Sequence, residues 1–208
     1  MSMTRWVTFD CFGTLVDWQT GFRRILRPIV GDRIEDVMAA YHEAEPIVEK
    51  EHPSASYKTI LRESLARAAG VDSDALAEHW GELPVFDDTE PALTALRAAG
   101  WKLGILTNCD NDLFAATRAR FPVPIDEVVT AEEVGNYKPD LAHFTEFEAR
   151  TGVDRAAWVH AAVSYTHDMV PARALGLRRI WVDRERTGQD ASTVSARVTS
   201  LAELVTVL

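Results

Sequence analysis

The chain has 208 residues, of which 47% are hydrophobic and 26% charged, so it is long enough and apolar enough to bury a core and is not a disordered tail. Its net charge of -10 argues against nucleic acid as the main partner, although one positive pocket for a small anion fits inside a negative field. No apolar run approaches the roughly 20 residues that cross a bilayer. Two cysteines, Cys11 and Cys109, make no disulfide framework. Thr4, Arg5 and Asp10 interrupt the opening stretch, so no secretory leader is expected and the cytoplasm is the default location.

Taken in order, Trp6 to Phe9 form an apolar run that ends at Asp10 and meets a turn at Gly13, which reads as a buried strand feeding a loop. From Trp18 to about Pro84 apolar residues recur at helical spacing: Phe22, Ile25, Leu26 and Ile29, then Ile34, Val37, Met38 and Tyr41, then Ile60, Leu61, Leu65 and Ala68. Pro28, Gly31, Pro53, Gly70 and Pro84 punctuate this stretch, which predicts three to five helices and no strand. Strands and helices alternate afterwards. A helix over Pro91 to Ala99 stops at Gly100, a strand runs from Trp101 to Leu106, and a helix from Leu113 to Arg120. A short strand at Val128 and Val129 precedes a helix over Leu141 to Thr151. Then come a strand over Trp158 to Val163, a helix over Val170 to Leu175, a strand over Arg179 to Val182 and a last helix over Leu201 to Val207.

This pattern predicts an α/β fold: a doubly wound, Rossmann-like parallel sheet with helices on both faces and an inserted all-helical cap. The expected division is residues 1–16 and 85–208 for the core and 17–84 for the cap.

In such sheets ligands bind beyond the carboxyl ends of the strands. Asp10 and Thr14 follow the first strand, and Thr107 and Asn108 follow the second. Lys138 precedes the helix at Leu141. Ser164, Tyr165 and Asp168 follow the fourth strand. Two carboxylates, a lysine and several hydroxyl or amide donors on one rim suit a carboxylate nucleophile facing an anionic substrate. Each has a plainer reading as well: a turn former, a helix cap or a solvated lysine.

The opening FDCFGTLVD, Thr107 after GILT, Lys138 in YKPD and Asp168 in SYTHD resemble, in order, the four motifs of the haloacid dehalogenase-like hydrolases. The resemblance covers essentially the whole chain, and a helical cap is inserted there at the position of Trp18 to Pro84. It implies that Asp10 is the nucleophile. Phosphatases of this type carry a second aspartate two residues later to protonate the leaving alcohol. Phe12 stands there instead, as an aromatic residue does in the 2-haloacid dehalogenase branch. The resemblance therefore implies attack of Asp10 on a halogen-bearing carbon, loss of halide and hydrolysis of the ester by water, with no cofactor. Lys138 would keep Asp10 ionised, and Asp168 would position Lys138 or the water. Thr14, Thr107 and Asn108 would hold the substrate carboxylate, with Phe12, Ser164 and Tyr165 also at the substrate.

That branch carries a cap arginine. The matching stretch from Val37 to Lys50 has none, which leaves Arg23, Arg24 and Arg62 as candidates, each also readable as a solvated helix-face arginine. Tyr165 stands where the fourth motif normally has asparagine. Two other readings stay open. One is a Mg²⁺-dependent phosphatase with the ion held by Asp10, the carbonyl of Phe12 and Asp168. The other is a binding protein that has lost catalysis. Cys11 and Cys109 read as buried fillers, with a redox pair as a minor alternative. His160 reads as a strand residue, while His167 is placed to reach the rim. Trp18 and Tyr137 are weak candidates for an apolar pocket wall. The expected partner is a small anionic substrate, with room for a homodimer.

Overall fold

The computed structural model describes residues 4–208. Six parallel strands form one sheet: β1 (Trp6–Phe9), β2 (Lys102–Thr107), β3 (Glu127–Thr130), β4 (Trp158–Ala162), β5 (Arg178–Val182) and β6 (Ala196–Val198). They lie in the order β3-β2-β1-β4-β5-β6. The chain thus builds outward on one side of β1 and then crosses to the other, so the topological switch point falls between β1 and β4.

All four residues of β1 are buried, as expected for a parallel strand covered on both faces. Alternation divides them. Val7 and Phe9 join Leu103, Ile105, Val159, Ala161, Ile180 and Val182 in the larger core. Trp6 joins Leu106, Phe144, Phe147 and Trp158 on the opposite face. Gly104 in β2 is explained by this second face, because a Cβ there would stand 2.6 Å from Phe147 and 2.8 Å from Thr8.

Between β1 and β2 the chain is helical, with α1 (Trp18–Val30), α2 (Ile34–Glu51), α3 (Tyr57–Ala69), α4 (Ala75–Glu78) and then α5 (Thr89–Ala98). The first four fall within the stretch expected to be helical. Asp17 caps α1 by accepting from the amide of Thr20, and Ser56 caps α3 by accepting from Thr59. Phe22 and Leu26 of α1, Val37, Tyr41 and Val48 of α2, and Ile60, Leu61 and Leu65 of α3 merge with the core on the β1 face. Pro28 does not end its helix as the sequence suggested. It lies inside the last turns of α1, where both Pro28 and Arg24 are exposed, so water takes over the carbonyl that the missing N–H leaves free. Pro46 likewise sits inside α2.

The remaining helices are α6 (Asn111–Arg118), α7 (Ala131–Val134), α8 (Ala142–Thr151), α9 (Val170–Ala174) and α10 (Leu201–Val207). Besides the one-turn helix α7, two features had no sequence expectation. One is the edge strand β6, three residues with only Val198 fully buried. The other is a π-helical turn over Tyr165–Met169, capped by Ser164 accepting from the amide of His167. π-turns often mark functional sites. No helix among the described residues is long and apolar enough to cross a membrane.

Candidate active site

Asp10 leaves β1 at the switch point, beside the end of β4. Its Oδ1 accepts from Lys138 Nζ at 3.0 Å, and its Oδ2 accepts from the hydroxyl of Thr14 at 3.0 Å. Thr14 is itself fixed by the amide of Val163, which donates to its oxygen at 3.0 Å. Both carboxylate oxygens are therefore oriented before any ligand arrives.

Lys138 is 1% exposed, and the donors of its ammonium are accounted for: Asp10 Oδ1, Asp168 Oδ1 at 2.7 Å and the carbonyl of Leu106 at 2.9 Å. Asn108 seats the lysine backbone, accepting from its amide at 2.8 Å and donating to its carbonyl at 3.2 Å. Burial works against the ammonium, but Asp10 and Asp168 outweigh it and push the pKa above the usual lysine value.

Asp168 is fully buried in the π-turn. Its Oδ1 also accepts from His160 Nε2 at 3.0 Å. The ionised carboxylate can only accept, so His160 carries a proton on Nε2. His160 Nδ1 lies 2.8 Å from the hydroxyl of Thr8, which accepts from Trp158 Nε1 at 2.8 Å. The register explains this buried chain, because Thr8 and His160 are direct neighbours across β1 and β4. Burial opposes the charge on Asp168, yet Lys138 and His160 outweigh it and hold the carboxyl below the ordinary range. Asp10 differs. Its burial wins over Lys138, with Asp168 adding repulsion, and its pKa is raised. Asp168 Oδ2 is buried with no hydrogen-bond partner.

A cavity of about 410 Å³ opens above these groups. Its floor includes Asp10, Phe12, Thr107, Asn108, Lys138, Ser164, Tyr165 and Asp168. The facing wall is helical: Trp18, Phe22, His42, Glu45, Pro46, Glu49, Tyr57 and Trp80. Phe12 packs edge-on to Trp80 with ring centroids 4.5 Å apart.

Most residues singled out in the sequence meet here. Thr14 orients Asp10 without lining the cavity. The Asn108 amide is engaged by Lys138 and by Glu49, to which it donates at 3.3 Å. The Thr107 hydroxyl points to Cys109 Sγ at 3.6 Å. Ser164 caps the π-turn, and the Tyr165 hydroxyl bonds to the Asp190 carbonyl at 3.2 Å. Trp18 lines the wall and stacks on His42, with ring centroids 6.2 Å apart. Tyr137 instead donates to the Ala55 carbonyl at 2.6 Å, outside the cavity lining. Cys11 and Cys109 are buried free thiols, and burial pushes both pKa values up.

None of the three arginine candidates lines the cavity. Arg23 pairs with Glu35 at 3.0 Å and Arg62 with Asp72, both at the surface, while Arg24 is exposed. Three participants had no functional reading in the sequence: His160, Glu45 and Glu49. A lone histidine inside the fully buried strand Trp158–Ala162 was a signal for the first. The Glu45 and Glu49 pair, one helical turn apart beside Tyr41 and His42, was a signal for the others.

Comparison with known proteins bears on the family and the fold. The sequence profile of the haloacid dehalogenase-like hydrolases matches residues 4–161. A haloacid dehalogenase-like hydrolase domain-containing protein 3 of Danio rerio is 31% identical over 52% of this chain, a match that spans only 44% of that protein. An (S)-2-haloacid dehalogenase of Pseudomonas sp. (strain YL) is 25% identical over 99% of this chain and 94% of its own length. Phosphatase MT3486 of Mycobacterium tuberculosis is 28% identical over 96% and 95%. Among solved structures, a dehalogenase superposes with a TM-score of 0.86 at 21% identity, covering 100% of this chain and 98% of that one, a likeness of fold. With its profile match over most of the chain and the parallel sheet those structures share, this protein belongs to the haloacid dehalogenase-like hydrolases.

Proposed function

We propose that this hydrolase removes halide from a small 2-haloalkanoic acid through an ester on Asp10, and that residues 17–84 act as the cap over the reaction. The observation that carries the reading is Phe12. It stands on the cavity floor beside Asp10, packed on Trp80, where a phosphatase of this kind would need a proton-donating carboxylate. A halide leaves without a proton, whereas an alkoxide does not.

Asp10 is built to attack. Thr14 and Lys138 fix the direction of its lone pairs, and the charge of Lys138 favours its ionised form. A carboxylate oxygen displaces the halide and forms a C–O bond, giving an alkyl ester at Asp10. Water then adds to the ester carbonyl, and the 2-hydroxy acid leaves with the oxygen that had attacked. Lys138 and Thr14 stand against the two oxygens of that group and receive the charge that develops there.

Kinship to a phosphatase at 28% identity supports a second reading. Asp10, the carbonyl of Phe12 and Asp168 would then hold Mg²⁺, which would neutralise charge on a phosphoryl group; the unpartnered Oδ2 of Asp168 suits such a role. Among the described residues no group of three or more His, Cys, Asp or Glu side chains converges on one point. Halide release from (S)-2-chloropropionate in EDTA separates the two readings. Metal-free release by the wild type supports dehalogenation. No halide in EDTA, with Mg²⁺-dependent phosphate release from a phosphomonoester, overturns it.

A further inference from the structure

The cavity has a shortage of positive charge. Among the described residues Lys138 is the one lysine lining it, all three of its donors are used inside the protein, and no arginine lines the space. The cap wall instead supplies two glutamates from α2. A carboxylate substrate entering this space needs a donor that is not already engaged.

Glu45 and Glu49 lie one turn apart on the same helix, where two negative charges repel. Their partners differ. Glu45 Oε1 accepts from the hydroxyls of Tyr41 at 3.2 Å and Tyr57 at 2.6 Å. Glu49, 8% exposed, accepts only the Asn108 amide on Oε1. Its Oε2 meets no donor within hydrogen-bond distance, and His167 Nε2 stands at 4.0 Å. Glu49 is the more deeply buried of the two and has the fewer donors, and both features suit a neutral carboxyl. Neutral, it has an O–H to give, and it lines the same space as Asp10.

We propose that Glu49, in its neutral form, donates the hydrogen bond that receives the substrate's carboxylate, taking the place of the missing cap arginine. This inference rests on the dehalogenase reading. Burial, then Glu45, push the Glu49 carboxyl well above the usual carboxylate range, against smaller opposing effects of Asn108 and Lys138. Other ionisable groups stand around the pair and the space it lines: Tyr41 and His42 from α2, Tyr57 from α3, Tyr137 and Lys138 from the loop before α8, His167 and Asp168 from the π-turn, Asp10 just after β1 and Glu185 after β5.

The sign follows directly. Below the Glu49 pKa the donor is present. Above it the proton is gone and a second negative charge faces the substrate, so affinity falls by up to tenfold per pH unit. The experiment is calorimetric titration with propionate, an unreactive carboxylate, across pH, run beside halide release from 2-chloropropionate. Wild-type affinity weakens with rising pH, and binding above the Glu49 pKa takes up a proton, seen as buffer-dependent heat. In Glu49→Gln the amide still donates, so the fall in affinity through the Glu49 pKa is lost, and only the acid-side change that belongs to Asp10 remains. In Glu49→Ala affinity falls roughly tenfold or more on the acid side, the worth of a hydrogen bond to a charged group. A pH-independent wild-type affinity, no propionate binding at any pH, or equal loss in the Gln and Ala variants overturns the proposal. Absent halide release with pH-linked propionate binding overturns the dehalogenase reading and leaves Glu49 as the anion's donor. Halide release with flat propionate affinity does the reverse.

Discussion

The two walls of the cavity are built on opposite terms. On the sheet side, Asp10, Lys138 and Asp168 are locked into one another, and His160, Thr8 and Trp158 extend the chain of hydrogen bonds into the sheet. On the helical side, Glu49 Oε2 meets no donor among the described residues, His42 is exposed against Trp18, and the rest is aromatic surface with Pro46 and the tyrosine-held Glu45. Pre-organised groups cost little to reorient during reaction, which suits bond making. A loosely paired wall suits choice of substrate, because a binding partner there changes which groups are satisfied. On the proposed reading, chemistry falls to the sheet-side segments and choice of substrate to the helical ones, so each is open to a separate test.

The largest break is expected at Asp10, the nucleophile of the proposed reaction. Asp10→Asn keeps the size and the Thr14 contact but removes the attacking oxygen. Halide release in EDTA should fall by at least about a thousandfold, with the far-UV and thermal signatures of the fold retained. Release within tenfold of wild type would show that another group attacks.

Next is the cation that joins the sheet side together. Lys138→Met removes the charge and leaves Asp10 and Asp168 facing each other in a buried site. Breaking a buried pair from one side costs about 3–5 kcal/mol, so denaturant titration should show a large fall in stability along with lost activity. His160→Ala is the milder form of the same experiment. It strips one donor from Asp168 and one contact from Thr8, a cost of about 1–3 kcal/mol. His160 is buried and does not line the cavity, so its proposed role is positioning through Asp168, and kcat should drop while KM moves little. A change confined to KM would place it elsewhere in the mechanism.

These sheet-side effects also show what the sequence could and could not say. Asp10, Thr107, Lys138 and Asp168 were legible because each follows or precedes an element whose periodicity is plain, and parallel strands bring their carboxyl ends to one rim. The helical stretch from Trp18 was legible for the same reason. The chain from Asp168 through His160 to Trp158 was not, since it depends on strand register, which pairs Thr8 with His160 across 152 positions. Strand β6 escaped because three residues are too few to show alternation. Glu49 escaped because its meaning lies in what faces it, and a glutamate on a helix ordinarily faces water.

The pH profile sharpens the comparison further. In the proposed reaction Asp10 must be ionised, and burial, helped by the charge of Asp168 against that of Lys138, raises its pKa above the ordinary aspartate value. Lowering the pH through that raised value protonates the nucleophile, so kcat/KM for the haloacid should fall on the acid side at a pH above that of an ordinary aspartate. The Glu49→Gln variant should keep this acid limb, because the acid limb belongs to the sheet wall. Loss of the acid limb in that variant would mean the two walls titrate as one unit.

The smallest effect is expected at the arginines that the sequence offered as substitutes for a cap arginine. Arg62 is committed to Asp72 and Arg23 to Glu35, and both pairs are solvent-exposed. Exposed pairs contribute about 0–1 kcal/mol, and neither guanidinium lines the cavity. Arg23→Ala and Arg62→Ala should therefore leave KM for the haloacid within about twofold of wild type, with stability changes of about 0.5 kcal/mol. Arg23 is the more demanding test, because α1 also carries Trp18 and Phe22 on the cavity wall. A tenfold rise in KM in Arg23→Ala would mean that α1 turns its arginine inward when substrate binds. The helical wall would then recruit its positive charge from the surface, and the anion would no longer depend on Glu49 for its donor.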